Sequence, residues 1–380
     1  MAIQVRPIRS PRERRIFLHF PWRIYADDPL WVPPLLPERR RAMDPRRGAF
    51  FRRGGQAEFF IAWQDGVPVG TICAGEDPYT NQRRGQKECV IGFLEYVEDL
   101  EVLEALIARA AAWAQQRGLD TLWGPFNLDY ENSYGVLIEG RDRPPALLCG
   151  HTPPYYAPFM ETLSFVPTRG DNIAMAVDIT EETPALRRLA RIAAAVRRRR
   201  RIVIRQPDFD HLDEEIDRIH ILLNKALAHL PDHIGWHRDA VEALVAPFRE
   251  IADPELVLFA EVDGETVGWL PGIPNLNEIF IHVNGLRYPW DYVHLWWRMR
   301  RRRPLTTSLC IKSVLILPRY WGTGVAAVLF DEMAKRARSK GYQWVDLSIT
   351  SEDNPQTPLM GAHMGAKVYK RWRIYKLPLT

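Results

Sequence analysis

The chain has 380 residues, which is long for a single hydrophobic core and predicts two domains. Hydrophobic residues make up 46% of it and the formal net charge is only +4, so the composition is that of a globular protein and does not by itself favour nucleic-acid binding. Because no apolar run reaches the roughly 20 residues of a membrane span and no signal-peptide core follows Met1, we expect a cytoplasmic location.

The first part of the chain predicts an α+β unit. Two apolar segments joined by Asp65-Gly66 indicate a hairpin, since Asp-Gly is a favoured two-residue hairpin turn. The proline-rich stretch from 21 to 51 contains several aromatic residues, which favour an ordered wrap over a flexible arm. In chain order the predicted elements are a strand at 3–8, a helix at 11–19, the hairpin at 58–72, a strand at 90–97 and a helix at 100–117.

A polar loop, from Gly124 to Gly135, follows a predicted strand at 121–123. Such a loop is either a solvated turn or a substrate contact, and loops hold polar residues for solvation more often than for function. This loop is still the best candidate for substrate binding in the first half. The candidate residues are Asn127, Tyr130, Glu131 and Asn132. Strands predicted within 165–177 then close the first sheet.

A helix from Pro184 to about Arg200 connects the two halves, with Thr183 as its N-terminal cap. A run of arginines, Arg197–Arg201, lies at its C-terminal end. Cations are favourable at that end of the helix dipole, and no aromatic residue alternates with them. A solvated helix end is therefore the preferred interpretation over a nucleic-acid contact.

The first unit is repeated after this helix. Ile3-Gln-Val-Arg6 recurs as Ile202-Val-Ile-Arg205, and Asp65-Gly66 recurs as Asp263-Gly264 at almost the same spacing. Two separate elements at nearly equal offsets indicate a duplicated unit. We therefore predict an N-terminal domain at 1–180, a bridging helix at 181–201 and a C-terminal domain at 202–380.

An aromatic and basic segment interrupts the second copy. A helix of this composition is a core-packing element with a charged tail, a gate over a substrate site, or a membrane-surface helix. Packing is the preferred interpretation, because membrane contact requires an anionic surface and a free apolar face. The residues concerned are Trp290, Trp296, Trp297, Arg298 and Arg300–Arg303.

A glycine-containing turn joins a predicted strand at 314–317 to a predicted helix at 326–340. The first amides of a helix have no intrahelical acceptor, so they can hold an anion such as a diphosphate. Gly322 and Gly324 have no Cβ and would let a phosphate come close. Taken alone, the same residues also fit an ordinary strand-to-helix connection.

Residues 317–326 resemble the V-x-P-x-x-[Q/R]-G-x-G-small motif of the GCN5-related N-acetyltransferase (GNAT) superfamily. Pro318, Gly322, Gly324 and Ala326 match, whereas Trp321 stands where the motif has Gln or Arg. The resemblance implies an α+β (α/β/α) fold with two tandem GNAT-like domains, each a mixed, largely antiparallel central sheet flanked by helices. It also implies acyl-coenzyme A as cofactor, with its pantetheine arm along the strand at 313–317. The implied cofactor contacts are Leu315, Leu317, Trp321, Gly322, Thr323, Gly324, Val325, Ala326 and Asn354.

The first copy lacks this loop. Glu98, Asp99 and Glu101 occupy the corresponding place without a glycine, and carboxylates there would repel a diphosphate. We therefore expect the first domain to shape the acceptor cleft, as the resemblance to tandem acetyltransferases implies. This half resembles a bacterial group of tandem acetyltransferase-like proteins at Gly124-Pro125, Gly135, Glu139-Gly140, Pro144-Pro145 and Tyr155-Tyr156.

The catalytic residues are less well defined. The GNAT pattern places a proton-donating tyrosine where this chain has Gly361. His363 and Tyr369 are the nearest alternative acids, although a lone histidine on a helix is more often structural. Glu352 is the base candidate, among nearby carboxylates that also include Glu278, Asp346 and Asp353.

We predict an acyltransferase, and specifically an N-acetyltransferase that moves an acyl group from acetyl-coenzyme A or another acyl-coenzyme A to an amine or hydroxyl of a small-molecule acceptor. The four cysteines have no paired spacing, so no metal site is expected. One alternative is a Fem-like transferase that uses aminoacyl-tRNA in a basic channel. Another is an acyl-coenzyme A sensor without catalytic activity.

Overall fold

The computed structural model describes residues 2–128, 135–229, 235–245, 252–301, 306–354 and 356–379. The strands are β1 (Gln4–Pro7), β2 (Gln56–Gln64), β3 (Val67–Glu76), β4 (Glu88–Tyr96), β5 (Thr121–Gly124), β6 (Val136–Glu139), β7 (Val166–Pro167), β8 (Asn172–Asp178), β9 (Ile202–Arg205), β10 (Val257–Val262), β11 (Glu265–Pro274), β12 (Ser308–Ile311), β13 (Leu315–Ile316), β14 (Trp344–Ser351), β15 (Lys367–Arg373) and β16 (Tyr375–Pro378).

The helices pack on the faces of two sheets. They are α1 (Pro11–His19), α2 (Pro21–Ile24), α3 (Leu36–Ala42), α4 (Ala49–Arg52), α5 (Pro78–Arg84), α6 (Leu100–Gln115), α7 (Tyr156–Thr162), α8 (Pro184–Arg199), α9 (Leu212–Ala226), α10 (Arg238–Val245), α11 (Asn277–Phe280), α12 (Pro289–Arg301), α13 (Val325–Ser339) and α14 (Gln356–His363). Among the described residues, no helix combines the length and apolar character needed to cross a membrane.

Both sheets are mixed and largely antiparallel, as expected. The first has the order β1-β2-β3-β4-β5-β16-β7, and its parallel pair is β4–β5. The second has the order β6-β15-β8-β14-β12-β11-β10-β9, with β13 beside β11 and the parallel pair β12–β14. Each sheet therefore repeats one plan in which the fourth and fifth strands run parallel.

The two sheets exchange strands. The strands predicted within 165–177 were expected to close the first sheet, but only β7 does so. β8 instead pairs on both sides in the second sheet, with β14 and β15. The last strand of the chain, β16, fills the place between β5 and β7 in the first sheet. Each sheet thus contains a strand from the other half of the sequence. The division into domains at 1–180 and 202–380 therefore stays a prediction.

The local predictions in both hairpins are confirmed. Asp65 and Gly66 have φ values of 52° and 77°, and Asp263 and Gly264 have 51° and 83°. Both residues of each turn are left-handed, as a type I′ hairpin turn requires. The turns fix the registers of β2–β3 and β10–β11.

The halves meet through a shared apolar core. Leu137, Leu147 and Cys149 from the first half pack with Ile273 and Cys310 from the second, and all five are buried. The four cysteines are free and buried. This contact holds the two sheets in a fixed relation around the space between them.

The bridging helix α8 begins as predicted, because the Thr183 side chain accepts a hydrogen bond from the Leu186 amide. It packs along α13. Arg197, from the arginine run, forms an ion pair with Glu332 of α13 at 2.8 Å. The bridging helix is therefore placed beside the glycine turn.

Candidate functional site

The glycine turn has the geometry of an anion-binding loop. It leads from β13 into α13, and Gly322 and Gly324 have φ values of 71° and 93°. In the part of the chain that the structure describes, no acceptor faces the amides of Gly322, Gly324 and Val325. Unpaired amides at a helix N-terminus are suited to hold phosphate oxygens.

The two glycines serve different purposes. A Cβ on Gly324 would lie 2.4 Å from Cγ2 of Val196, so this glycine allows the close approach of α8. A Cβ on Gly322 would meet nothing within 4 Å. The open side of the turn is therefore at Gly322, where an anion can approach.

A mostly apolar cleft of about 440 Å³ opens beside this turn. Its walls come from α8, α9, the turn, α13 and α14. Of the predicted cofactor contacts, the structure brings five to the cleft together with the candidate acid His363. These five residues are Trp321, Gly322, Gly324, Ala326 and Asn354.

The other predicted contacts lie elsewhere. Leu315, Leu317 and Val325 are buried in the core, and Thr323 donates its hydroxyl hydrogen to the Tyr320 carbonyl at 2.7 Å. Their neighbours Val314 and Ile316 line the cleft instead. Side chains alternate along a strand, so residues 314 and 316 face the cleft while residues 315 and 317 face the core.

Trp321 makes the glycine turn less polar than the GNAT motif. Its indole N–H donates to the Ile316 carbonyl at 2.9 Å, and its ring meets His229 edge-on with 4.7 Å between centroids. The side chain remains 38% exposed at the cleft. An aromatic side chain thus stands where the GNAT motif has Gln or Arg, and it occupies a backbone carbonyl of β13.

The residues proposed for acid–base chemistry are not brought together. Tyr369 donates its hydroxyl to Asp346 Oδ2 at 2.7 Å, away from the cleft lining. Burial raises the pKa of both groups, and the carboxylate further raises that of the tyrosine. Glu352 pairs with Arg371 at the surface and does not line the cleft. Only His363 among the three faces it.

Gly361 stands where the GNAT pattern has a tyrosine, and a side chain of β8 packs against it. A Cβ on Gly361 would lie 2.9 Å from the Met175 sulfur of β8. A larger side chain at position 361 would therefore require the Met175 side chain to move.

A second cavity of about 350 Å³ lies between the halves. The first half supplies most of its wall, and Asn277 and Phe280 supply the rest. The predicted substrate residue Asn127 lines it, with Oδ1 accepting from the Phe93 amide at 2.7 Å. The other candidates, Tyr130, Glu131 and Asn132, lie outside the described residues.

Glu95 of β4 is the central acid of this cavity. Two tyrosine hydroxyls, of Tyr25 and Tyr156, donate to its Oε2 at 3.0 and 2.9 Å. Burial raises the pKa of Glu95 to about 7, although the Arg39 guanidinium acts to lower it. Arg39 itself lies 4.8 Å from the centroid of the Phe93 ring.

A histidine–aspartate pair lies beside this cavity, and its histidine, His151, is part of the wall. His151 Nε2 is 2.7 Å from Asp28 Oδ2, and the histidine side chain is only 4% exposed. Its Nδ1 is buried without a hydrogen-bond partner among the described residues. Burial lowers the pKa of His151, so the neutral ring donates through Nε2 and leaves a lone pair on Nδ1.

Sequence reasoning missed Glu95, His151 and Asp28. His151 and Asp28 are separated by 123 positions, and no motif surrounds either. The proline-rich stretch gave the one usable signal. It is ordered as expected, and its Trp31 stacks on Tyr25 at 4.8 Å to wall the cavity.

Residues 224–365 of the chain match the Acetyltransferase (GNAT) family. The whole chain is similar to a bacterial ceramide synthase of Caulobacter vibrioides, with 29% identity over 99% of this chain and 98% of the relative. It is also similar to protein YghO of Escherichia coli, with 26% identity over 98% and 94% of the two chains.

The fold has solved counterparts. A tandem GNAT protein from the clavulanic acid biosynthesis pathway superposes with a TM-score of 0.55 at 12% identity, over 99% of this chain and 98% of that one. A GCN5-related N-acetyltransferase from Sphaerobacter thermophilus gives 0.51 at 15% identity, over 99% and 95%. At these identities the likeness shows the fold and nothing finer.

Proposed function

Because the chain is a member of the GNAT superfamily with tandem GNAT-like domains, we propose that it transfers a fatty acyl group from acyl-coenzyme A to the primary amine of a long-chain amino alcohol. The observation that carries this proposal is the pairing of open turn amides with a mostly apolar cleft. Amides suit a diphosphate, and an apolar wall suits a hydrocarbon chain.

The relatives support the lipid acceptor. The Caulobacter protein, similar over nearly the whole chain, is named a ceramide synthase. A ceramide is the amide of a fatty acid and a long-chain amino alcohol. We therefore propose a fatty acyl donor in place of the acetyl donor expected from the sequence, because an acetyl group would leave most of the apolar wall without a partner.

The chain's own residues have three proposed tasks. The amides of Gly322, Gly324 and Val325 would bind the diphosphate, and Val314 and Ile316 would contact the pantetheine arm or acyl chain. Acyl-coenzyme A supplies the thioester, whose carbonyl carbon accepts the amine as the thiol departs. His363 stays the candidate donor of a proton to that thiolate, since it faces the cleft.

The test uses the purified protein with sphinganine and with acetyl-, octanoyl- or palmitoyl-coenzyme A. Free thiol is measured with a chromogenic reagent and the amide product by mass spectrometry. We expect kcat/KM to rise with chain length. Fastest turnover with acetyl-coenzyme A would contradict the fatty acyl donor, and tight binding of every donor without turnover would support the sensor alternative.

A further inference from the structure

The cavity between the halves has features that the acyl donor does not explain. It shares no lining residue with the cleft at the glycine turn. Its polar wall contains the carboxyl groups of Glu38 and Glu95, a buried histidine nitrogen that has no partner among the described residues, and an amide side chain. We propose that this cavity binds the amino-alcohol end of the acceptor, with Glu95 contacting the ammonium and His151 removing its proton. The substrate class rests on the proposed function.

Glu95 has a carboxylate oxygen available to bind a cationic ligand. Both tyrosine donors use the same oxygen, Oε2, and no described residue donates to Oε1. A carboxyl group whose pKa is about 7 becomes fully charged when a cation binds beside it. The free oxygen can therefore accept a charge-assisted hydrogen bond from an ammonium group.

His151 is prepared to accept a proton. Asp28 fixes its Nε2–H, so the buried Nδ1 presents a lone pair. In the proposed step an N–H bond of the ammonium breaks, the proton forms an N–H bond at Nδ1, and the electron pair stays on the now neutral amine. The positive charge passes to the imidazolium, which the Asp28 carboxylate stabilises.

Asn127 can bind the acceptor's hydroxyl group, which is adjacent to its amine. Its Oδ1 is already used by the Phe93 amide. The remaining amide hydrogens on Nδ2 can donate to a hydroxyl oxygen. A carboxylate, a base and an amide donor in one cavity match an amine with an adjacent hydroxyl better than they match a simple alkyl chain.

Other charges around this cavity set its response to pH. Arg39, Tyr25 and Tyr156 act on Glu95. Asp28 favours the protonated form of His151, whereas Lys370 and Arg141 oppose it. Glu38 also lines the cavity, and burial raises the pKa of its carboxyl group. We expect activity to rise with pH as Glu95 and His151 lose their protons.

The experiment measures binding and turnover separately. Binding of a short-chain 2-amino-1,3-diol, without acyl-coenzyme A, is followed by calorimetry for the wild type, Glu95→Gln and His151→Gln. We expect at least tenfold weaker binding for Glu95→Gln. For His151→Gln we expect binding within threefold of wild type but turnover at least 100-fold lower, with the histidine's part of the acid limb lost and that of Glu95 kept.

His211→Gln is the matched control. His211 forms a similar pair with Asp208, at 2.8 Å, but on the surface and away from both cavities. It should change neither binding nor turnover. A histidine NMR titration of the wild-type protein avoids any variant, and it should show the His151 resonance shifting when the amino diol is added.

The outcomes separate the two proposals. No binding of the amino diol by the wild type, or binding unchanged in Glu95→Gln, would overturn the site. Normal turnover in His151→Gln would overturn the role of the base. Binding at Glu95 without turnover of any acyl-coenzyme A would leave the site standing and refute the proposed function.

A different feature, the outer face of α12, carries a second inference. Its inner side chains Leu295 and Met299 pack on the core between the halves. Its outer face exposes large apolar side chains one or two turns apart on one side of the helix. Their exposed fractions are 63% for Trp290, 66% for Val293, 56% for Trp296 and 39% for Trp297. The core-packing interpretation therefore holds for only one side of this helix.

A basic residue borders the same face. Arg300 is exposed and lies 4.8 Å from the centroid of the Trp296 ring. The only acidic residue of α12, Asp291, is buried. A tryptophan-rich face with an arginine and no exposed carboxylate suits the interface of an anionic bilayer. We infer that α12 binds the surface of an anionic lipid membrane.

The test is co-sedimentation with vesicles of phosphatidylcholine, alone or with one quarter phosphatidylglycerol. We expect binding to the anionic vesicles that falls at least tenfold in a Trp290→Ser, Trp296→Ser variant. Ile221→Ser, on an exposed apolar residue of α9, is the matched control and should bind normally. Binding unchanged in the tryptophan variant, or a wild-type dimer that this variant makes monomeric, would overturn the inference.

Discussion

A single negative charge at Gly322 should weaken acyl-coenzyme A binding through electrostatics alone. Gly322 has a left-handed backbone and an open side, so a residue there must tolerate positive φ but needs no space. Asp and Asn both tolerate that conformation and have nearly the same shape. The comparison of Gly322→Asp with Gly322→Asn therefore isolates the charge.

The magnitude follows from Coulomb's law. A carboxylate about 5 Å from one phosphate charge costs about 0.8 kcal/mol at the dielectric constant of water and about 3 kcal/mol at an effective value of about 20. The turn is open to solvent on this side, so we expect about 1–2 kcal/mol. That corresponds to roughly a five- to thirtyfold higher Kd for Gly322→Asp than for Gly322→Asn.

The assay is calorimetric titration of each variant with acyl-coenzyme A at low and high salt. The difference between the variants should shrink as salt rises, because the open turn is screened. Equal Kd values for the two variants at low salt would refute the placement of the diphosphate at this turn. A loss of binding in both variants would show a backbone effect instead.

Three further changes test other parts of the structure. Trp321→Arg frees the Ile316 carbonyl and adds a cation, so the Kd for acyl-coenzyme A should fall roughly fivefold in the same titration. Gly361→Ala places a methyl against the flexible end of Met175, and the better helix propensity of alanine offsets this contact, so the free energy of unfolding in urea should change by less than about 1 kcal/mol. The pKa of Glu95 is raised from its ordinary 4.5 to about 7 in the folded protein. Its protonated form therefore stabilises the fold at low pH, and this stabilisation is lost as the pH rises through 7. The free energy of unfolding of Glu95→Gln, measured in urea relative to wild type, should therefore rise by about 2–3 kcal/mol between pH 5 and pH 8.5.

Each of these has a control. Trp321→Ala lacks the added cation and should not tighten binding. Gly361→Leu, whose side chain is too large for the space beside Met175, should lower the free energy of unfolding more than Gly361→Ala does, and equal effects of the two variants would contradict the contact. A stability difference between Glu95→Gln and wild type that does not change with pH would contradict the raised pKa of Glu95.

Features decided by neighbouring residues could be predicted from the sequence. The two Asp-Gly turns, the Thr183 cap and the glycine turn each depend on a few adjacent residues, and all are found where expected. The mixed sheets and the tandem plan followed from the repeat and the family motif.

Features that depend on contacts between residues far apart in the sequence could not be predicted. The patterns of β8 and β16 fit either sheet, and only tertiary packing assigns each to the sheet of the other half. The histidine–aspartate pair joins residues 123 positions apart, so no local pattern marks it. Val314 and Ile316 line the cleft and their neighbours do not, because side chains alternate along the strand. A short apolar run does not reveal which of the two sets faces the cleft.

The position of β16 also constrains how the molecule is made. The ribosome finishes the N-terminal half first, yet the slot between β5 and β7 stays empty until β16 emerges with its fully buried Tyr375. Until then two strand edges of the early half remain unpaired and open to association with other nascent chains. A fragment that stops before residue 375 should therefore aggregate, and completion of the first-made sheet awaits the synthesis of β16.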